Sequence, residues 1–265
     1  MMNERLKGKT VVITGASGGL GEKIAHLCAA SGARPVLLAR NQEKLAQVAR
    51  QIGDGQHVDC LPIVCDLSRQ EEIPSVFQEI LQETGGIDIL VNNAGYGVFA
   101  EAGEVSLADL QGMFSVNVVG LIACTKEVIP VMKERRSGHI INIASQAGKL
   151  ATPKSSVYSA TKHAVLGYTN SLRMELADFD VFVTAVNPGP MATNFFDIAD
   201  PGGSYVENVG RFILSTDKVA QKIVAAMMTR RREINLPGWM NAGSIAYTLF
   251  PGLVERLGKK AFFKK

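Results

Sequence analysis

Tyr158 and Lys162 stand four residues apart in the run Val157-Tyr158-Ser159-Ala160-Thr161-Lys162, with Ser145 thirteen residues upstream. A free tyrosine ionises near pH 10 and is a poor proton donor at neutrality. An ammonium beside it favours the phenolate, and each unit by which the pKa falls is worth about 1.4 kcal/mol. On one helix, i,i+4 spacing puts both groups on the same face. Such a phenol can hand a proton to an oxygen while a hydride arrives at the adjoining carbon. Each residue alone has a plainer reading: Tyr158 as a core tyrosine, Ser145 as a strand-end serine.

A hydride implies a nucleotide, and the N-terminus offers a cradle for one. Thr14-Gly15-Ala16-Ser17-Gly18-Gly19-Leu20-Gly21 follows a short β-branched run, Thr10 to Ile13, and opens a helical pattern. Backbone N–H groups and a helix dipole receive a pyrophosphate at such a junction. The spacing Gly15, Gly19, Gly21 differs from G-x-G-x-x-G. A phosphate loop ending in Gly8-Lys9-Thr10 is excluded, because Asn3 stands where its first glycine belongs and the tripeptide precedes the strand. The second strand ends Leu38-Ala39-Arg40-Asn41, with no carboxylate for a ribose 2′-hydroxyl and a guanidinium suited to a 2′-phosphate. Arg40, with Ser17, therefore points to NADP(H) over NAD(H), unless Arg40 is only a solvated helix cap. Asp66 and Leu67 follow the third strand, where they would meet the adenine, or else Asp66 is a turn carboxylate.

These residues need a scaffold, and the apolar pattern supplies it. Strands are expected at Thr10–Ile13, Pro35–Leu38, Leu61–Cys65, Ile87–Val91, His139–Ile143, Val181–Val186 and Glu233–Leu236. Helical patterns alternate with them: around Ile24 to Cys28, Leu45 to Ile52, after a capping box at Ser68 and Glu71, Ser106–Arg135 interrupted at Pro130, Ser155–Ala177 and Asp217–Arg232. Continuous apolar strands separated by helices predict a doubly wound α/β fold. Its seven parallel strands would form a Rossmann-type sheet in a three-layer α/β/α sandwich, one domain spanning 1–265. The long 190–216 segment carries Phe195, Phe196, Tyr205 and Phe212 and reads as a substrate lid.

Bulk properties narrow the class. The net charge of +3 argues against nucleic acid as a partner, and its basic clustering is confined to the C-terminus. Cys28, Cys60, Cys65 and Cys124 lie in apolar stretches without a C-x-x-C pair, as reduced thiols of a cytoplasmic protein do. The first strand begins within ten residues of Met1, leaving no room for a signal peptide. His26, His57 and His139 lack partners at metal spacing, and no metal is expected. His163 points about 100° away from Lys162 around the helix and receives no catalytic role.

With the glycine turn, Asn92-Asn93-Ala94-Gly95 after the fourth strand, Ser145, Tyr158-x-x-x-Lys162, and Asn187-Pro188-Gly189 after the sixth strand, the chain resembles the short-chain dehydrogenase/reductase family over about residues 8–236. The resemblance implies that Asn92, Asn93, Ala94 and Gly95 support the central strand beside the cofactor, and that Asn117 is the helix asparagine whose backbone distortion holds a water against the lysine. It implies Ser145 as the group that orients a carbonyl, Tyr158 as the acid/base, and Lys162 as both its electrostatic partner and a ribose ligand. Pro188, Gly189, Met191 and Thr193 would clasp the carboxamide, Met191 being a less usual occupant. Assembly as a homodimer or homotetramer through the helices near 106–135 and 155–177 is implied too.

The expected chemistry is reduction of a small-molecule carbonyl, apolar to match the aromatic lid, to an alcohol. Two alternatives stay open: an NAD(H)-dependent alcohol dehydrogenase, and a non-catalytic NADP(H)-binding sensor or scaffold, which has no need of a proton donor. Ile234 to Val254 is uncharged, but Pro237 and Pro251 argue against a spanning helix. The 237–265 segment reads foremost as pocket closure or subunit packing, with peripheral membrane contact by its basic tail as the alternative.

Overall fold

The computed structural model describes residues 3–193, 195–200, 202 and 210–262. Strands β1 (Thr10–Thr14), β2 (Arg34–Ala39), β3 (Leu61–Val64), β4 (Ile89–Asn92), β5 (Gly138–Ile143), β6 (Val181–Pro188) and β7 (Glu233–Leu236) pair in parallel in the order β3-β2-β1-β4-β5-β6-β7. The helices are α1 (Gly19–Ala30), α2 (Gln42–Gln56), α3 (Ile73–Thr84), α4 (Leu107–Phe114), α5 (Leu121–Arg135), α6 (Ser156–Glu175), α7 (Phe195–Ala199), α8 (Thr216–Ala226), α9 (Gly238–Leu249) and α10 (Pro251–Phe262). The fold is the expected three-layer, seven-stranded α/β sandwich of Rossmann type. The chain winds outward to β3, then crosses to β4, so a crevice opens beyond the carboxyl ends of β1 and β4.

Strand side chains alternate between two cores, which is why the central strands are mostly apolar on both faces. Val11, Ile13, Ile89 and Val91 pack under α1, α2 and α8. Val12, Leu38, Leu90 and Ile140 pack under α3, α5 and α6. Phe77 of α3 is almost fully buried in the second core, and truncating it to alanine would cost about 3–5 kcal/mol.

A polar ladder crosses that second layer. Asn92 donates to Thr125 and to Asn142, each at 2.9 Å, and Asn142 donates to Thr169 at 2.9 Å. These buried amides are paired across β4, β5, α5 and α6, which fixes α6 against the sheet.

Four local expectations are corrected. The helical run through 106–135 is interrupted at Ser115–Gly120, a π-helical stretch, and not at Pro130. Pro130 sits exposed within α5, and its buried neighbours Val128 and Met132 hold the helix through it. Ser68 does not form a capping box; its N–H and hydroxyl both donate to Asp66, at 2.9 and 2.8 Å, and α3 starts at Ile73. The helix expected to reach Arg232 ends at Ala226, where Met227 turns into the core.

Candidate active site

The glycine turn is built by close approach. Gly15 has φ +67°, and a Cβ there would stand 2.9 Å from Ala94 Cα. A Cβ at Gly21 would drive into the Gly15 carbonyl and come within 2.7 Å of Asn93 Nδ2. Only glycine lets α1 start this close to the end of β1. Asn93 Nδ2 donates to the Thr14 carbonyl at 2.9 Å, and the N–H groups of Asn93 and Ala94 donate to Thr14 Oγ1, also at 2.9 Å. The Asn93 to Gly95 segment is thereby latched to the turn. The first N–H groups of α1 are left without intrahelical partners, a ready anion cradle.

From this turn a cavity of about 460 Å³ runs along the carboxyl ends of the strands. At its near end it is lined by Gly15, Ser17, Gly19 and Leu20, and in its middle by Asn93 to Gly95. Ser145, Tyr158, Lys162, Pro188, Gly189, Met191 and Thr193 line it further along. Residues scattered over the chain therefore meet on one surface, and the chemistry of the lining, a glycine turn at a helix start beside polar and cationic groups, suits a nicotinamide dinucleotide.

Tyr158 and Lys162 occupy the first two turns of α6, both buried. Lys162 Nζ lies 5.7 Å from the Tyr158 ring centre and donates to the Ile143 carbonyl at 2.9 Å. Burial pulls the ammonium down to about 8. Ser145 follows β5 in extended backbone, and its Oγ accepts from the Ala147 N–H at 3.1 Å. This set can donate a proton and a hydrogen bond to a carbonyl oxygen beside a cation.

Asn117 is not in the cavity wall. Its Oδ1 accepts from the Tyr96 N–H at 3.0 Å, while Nδ2 donates to the Tyr96 carbonyl at 2.8 Å and to Thr161 at 3.2 Å. The π-helical turn carries it across to clamp the 95–97 segment against α6. Arg40, Asp66 and Leu67 do not line the cavity either. Partial burial opposes charge on Asp66, yet hydrogen bonds from Ser68, with Arg40 and Arg69 nearby, hold it below the usual carboxylate value. Leu67 packs into the core against Gly120.

Several lining residues escaped sequence reasoning. Lys44, whose N–H is capped by Asn41 Oδ1 at 2.8 Å, reaches the cavity beside Ser17 and Gly18. Its signal was a cation one turn into the helix after the second strand. An aromatic wall forms from Phe99, Phe195 and Tyr158, with ring centres 5.5–6.2 Å apart. Phe196 joins it, whereas Phe212 turns away to pack on Trp239. Tyr205 lies outside the described residues. Behind Ser145, Gln146 donates to the Asn187 carbonyl, Asn187 to Asn235, and Asn235 and Lys149 both to Glu233, at 2.5–3.1 Å. This chain ties the ends of β5, β6 and β7 together.

A family model described as short chain dehydrogenase matches residues 9–201, and the chain belongs to that family. Dehydrogenase/reductase SDR family protein 7-like of Drosophila melanogaster is 36% identical over 240 residues, covering 87% of this chain and 73% of the fly protein. A short chain dehydrogenase/reductase from Burkholderia phymatum, solved in complex with NAD, superposes with a TM-score of 0.86 at 26% identity, covering 95% of this chain and 96% of that one. A short-chain dehydrogenase from Sphingobium yanoikuyae, in complex with NADPH, superposes with a TM-score of 0.78 at 25% identity, over 92% and 96%. The protein is an oxidoreductase of this family with a site for a nicotinamide cofactor.

Proposed function

We propose that this protein reduces an apolar ketone or aldehyde to the alcohol with NADP(H), using Tyr158 as the acid. When bound, the cofactor supplies the hydride to the carbonyl carbon. Tyr158 gives its proton to the carbonyl oxygen, and Ser145 hydrogen-bonds the same oxygen. Lys162 holds positive charge beside the phenolate left behind and offers Nζ to a ribose hydroxyl. The observation that carries this reading is the meeting of Ser145, Tyr158 and Lys162 with the glycine turn on one cavity.

Preference for the 2′-phosphate is supported by the two cations after β2, Arg40 and Lys44, with no carboxylate at the strand end. An apolar substrate is supported by Phe99, Leu150, Phe195, Phe196, Ile198 and Met240 around the far end of the cavity. We read the protein as a cytoplasmic homo-oligomer. The exposed Leu107 of α4, Val119 of the π-helical turn and Met174 of α6 favour assembly through those helices.

Oxidation of NADPH followed by absorbance, against a panel of carbonyls, tests the activity. Tyr158→Phe should lower turnover by about 10²–10⁴-fold while NADPH binding, read by its fluorescence, stays within a factor of a few. Undiminished turnover in that variant removes Tyr158 from the role. Tight NADPH binding with no turnover on any carbonyl or alcohol supports a sensor instead.

A further inference from the structure

Among the described residues, eleven large apolar side chains stand markedly exposed, and six of them fall in one short stretch: Trp239, Ile245, Leu249, Phe250, Leu253 and Leu257, each more than half exposed. The clustering follows from how α9 is used. Its inner side is committed to the fold: Ser244 is buried, Met240 lines the cavity, and Asn241 lies 3.5 Å from Lys149 Nζ. Leu249 stands 64% exposed on the outer side, and Ile245, one turn before it, is half exposed at the edge of a recess shared with Lys149 and His163. The chain then turns at Phe250 and Pro251 into α10, where Leu253 and Leu257 at i,i+4 continue the bare strip. A contiguous exposed apolar face of this kind marks an interaction site.

Charge decides the occupant. Residues 250–265 hold five Lys or Arg (Arg256, Lys259, Lys260, Lys264, Lys265) against Glu255, a net of 5 − 1 = +4. The whole chain carries +3, so the remainder sums to 3 − 4 = −1. The positive charge of the protein is thus concentrated beside its bare apolar strip. A second copy docked face to face would set +4 against +4. An anionic lipid surface supplies the opposite charge and, beneath it, an apolar layer for Leu, Phe and Trp.

We propose that the outer faces of α9 and α10 seat this protein peripherally on an anionic bilayer, with the exposed leucines and Phe250 in the acyl boundary and the basic C-terminus among the headgroups. This role stands beside the pocket closure or subunit packing expected of the 237–265 segment: Met240 of α9 lines the cavity, and among the described residues no side chain of α10 does.

Trp239 is the chain's single tryptophan, so its emission reports the docking without a label. The full-length protein is mixed with phosphatidylcholine vesicles with and without phosphatidylglycerol, and bound protein is measured by sedimentation. The expected result is binding to the anionic vesicles, weakened by salt, with a blue shift of Trp239 emission. The double variant Leu253→Glu, Leu257→Glu should lower the partition coefficient by about tenfold or more without moving the thermal midpoint. The proposal is overturned by failure to bind anionic vesicles, or by binding that the double variant leaves unchanged. It is also overturned if gel filtration shows a lipid-free dimer that the variant splits, which would assign the face to a second copy.

Discussion

Lys162 Nζ lies 5.7 Å from the centre of the Tyr158 ring and is anchored by the Ile143 carbonyl at 2.9 Å. The anchor comes from β5 and the ring from α6, so the spacing between cation and phenol is set by the packing of helix on sheet. Replacing Lys162 with methionine keeps the stem's volume and deletes the charge. The phenolate then loses its stabilising neighbour. In alcohol oxidation, the direction in which the proposed role makes Tyr158 the base, the rising limb of the pH–kcat/KM profile should move to higher pH, by about one unit or more. A profile unmoved by Lys162→Met would sink the electrostatic role. Burial holds the free lysine at about 8, so wild-type activity without saturating cofactor should also decline as pH rises through that value.

Gly97 sets the headroom over the phenol. A Cβ added there would stand 2.9 Å from Tyr158 Cδ2 and 3.0 Å from Phe195 Cζ. The backbone tolerates alanine, so Gly97→Ala acts through crowding alone. Both rings are crowded: displacement of Phe195 narrows the apolar end of the cavity, and displacement of Tyr158 lowers kcat for all substrates alike. KM for the bulkiest accepted carbonyl should rise by about tenfold, with smaller carbonyls affected less, and steady-state kinetics on a homologous substrate series checks this. Equal effects on small and large substrates would place the specificity wall elsewhere.

Lys44 lines the cavity next to Ser17 and Gly18, whereas Arg40, the cation singled out from sequence, does not. A charge-assisted hydrogen bond to a phosphate contributes about 1.5–3 kcal/mol. Lys44→Ala should therefore weaken NADPH binding roughly tenfold or more and leave NADH nearly untouched. Paired titrations of both nucleotides by fluorescence against Lys44→Ala and Arg40→Ala apportion the preference. If neither substitution alters the NADPH to NADH ratio, selectivity for the 2′-phosphate is not built here.

Most of the parallel strands were legible because the central ones bury both faces and read as largely apolar runs, and Tyr158 and Lys162 because helical spacing is local. The distortion of the helix at Asn117, here the π-helical turn Ser115–Gly120, was expected from the family resemblance and not from the local pattern, since the clasp of Asn117 on Tyr96 lies twenty-one residues away. Pro130 misled because propensity penalises a helix interior wherever it lies, while in the fold it faces solvent. Ser68 misled because a Ser-x-x-Glu pattern does not show that a neighbouring carboxylate, Asp66, takes both donors first. Lys44 was missed because sharing one cavity with the glycine turn is a tertiary relation between α2 and another element.

His139 shows no accessible surface, and its burial makes the stability of the fold sensitive to acid. Its Nδ1 accepts from the Met228 N–H at 2.9 Å, so the ring proton sits on Nε2, 2.8 Å from Thr184 Oγ1, and Thr184 in turn donates to the Arg231 carbonyl. A second proton on Nδ1 would face an N–H donor inside the sheet, and burial holds the ring down at about 3. Between about 3 and 6.5 the folded state keeps His139 neutral while the unfolded chain takes up a proton. Stability from this site is therefore full above about 6.5 and is lost as pH falls toward 3, reaching roughly 2 kcal/mol at pH 5. His139→Gln removes the titration. That variant is less stable at every pH, because Met228 and Thr184 lose a fitted partner, but its loss between pH 7 and pH 5 should be smaller than the wild type's by about 2 kcal/mol. Denaturant unfolding of both proteins at the two pH values measures the difference directly, and carboxylates such as Asp66 and Glu233 contribute equally to both. Equal losses would mean that the fold does not hold His139 below its unfolded pKa, and that another group carries the acid sensitivity.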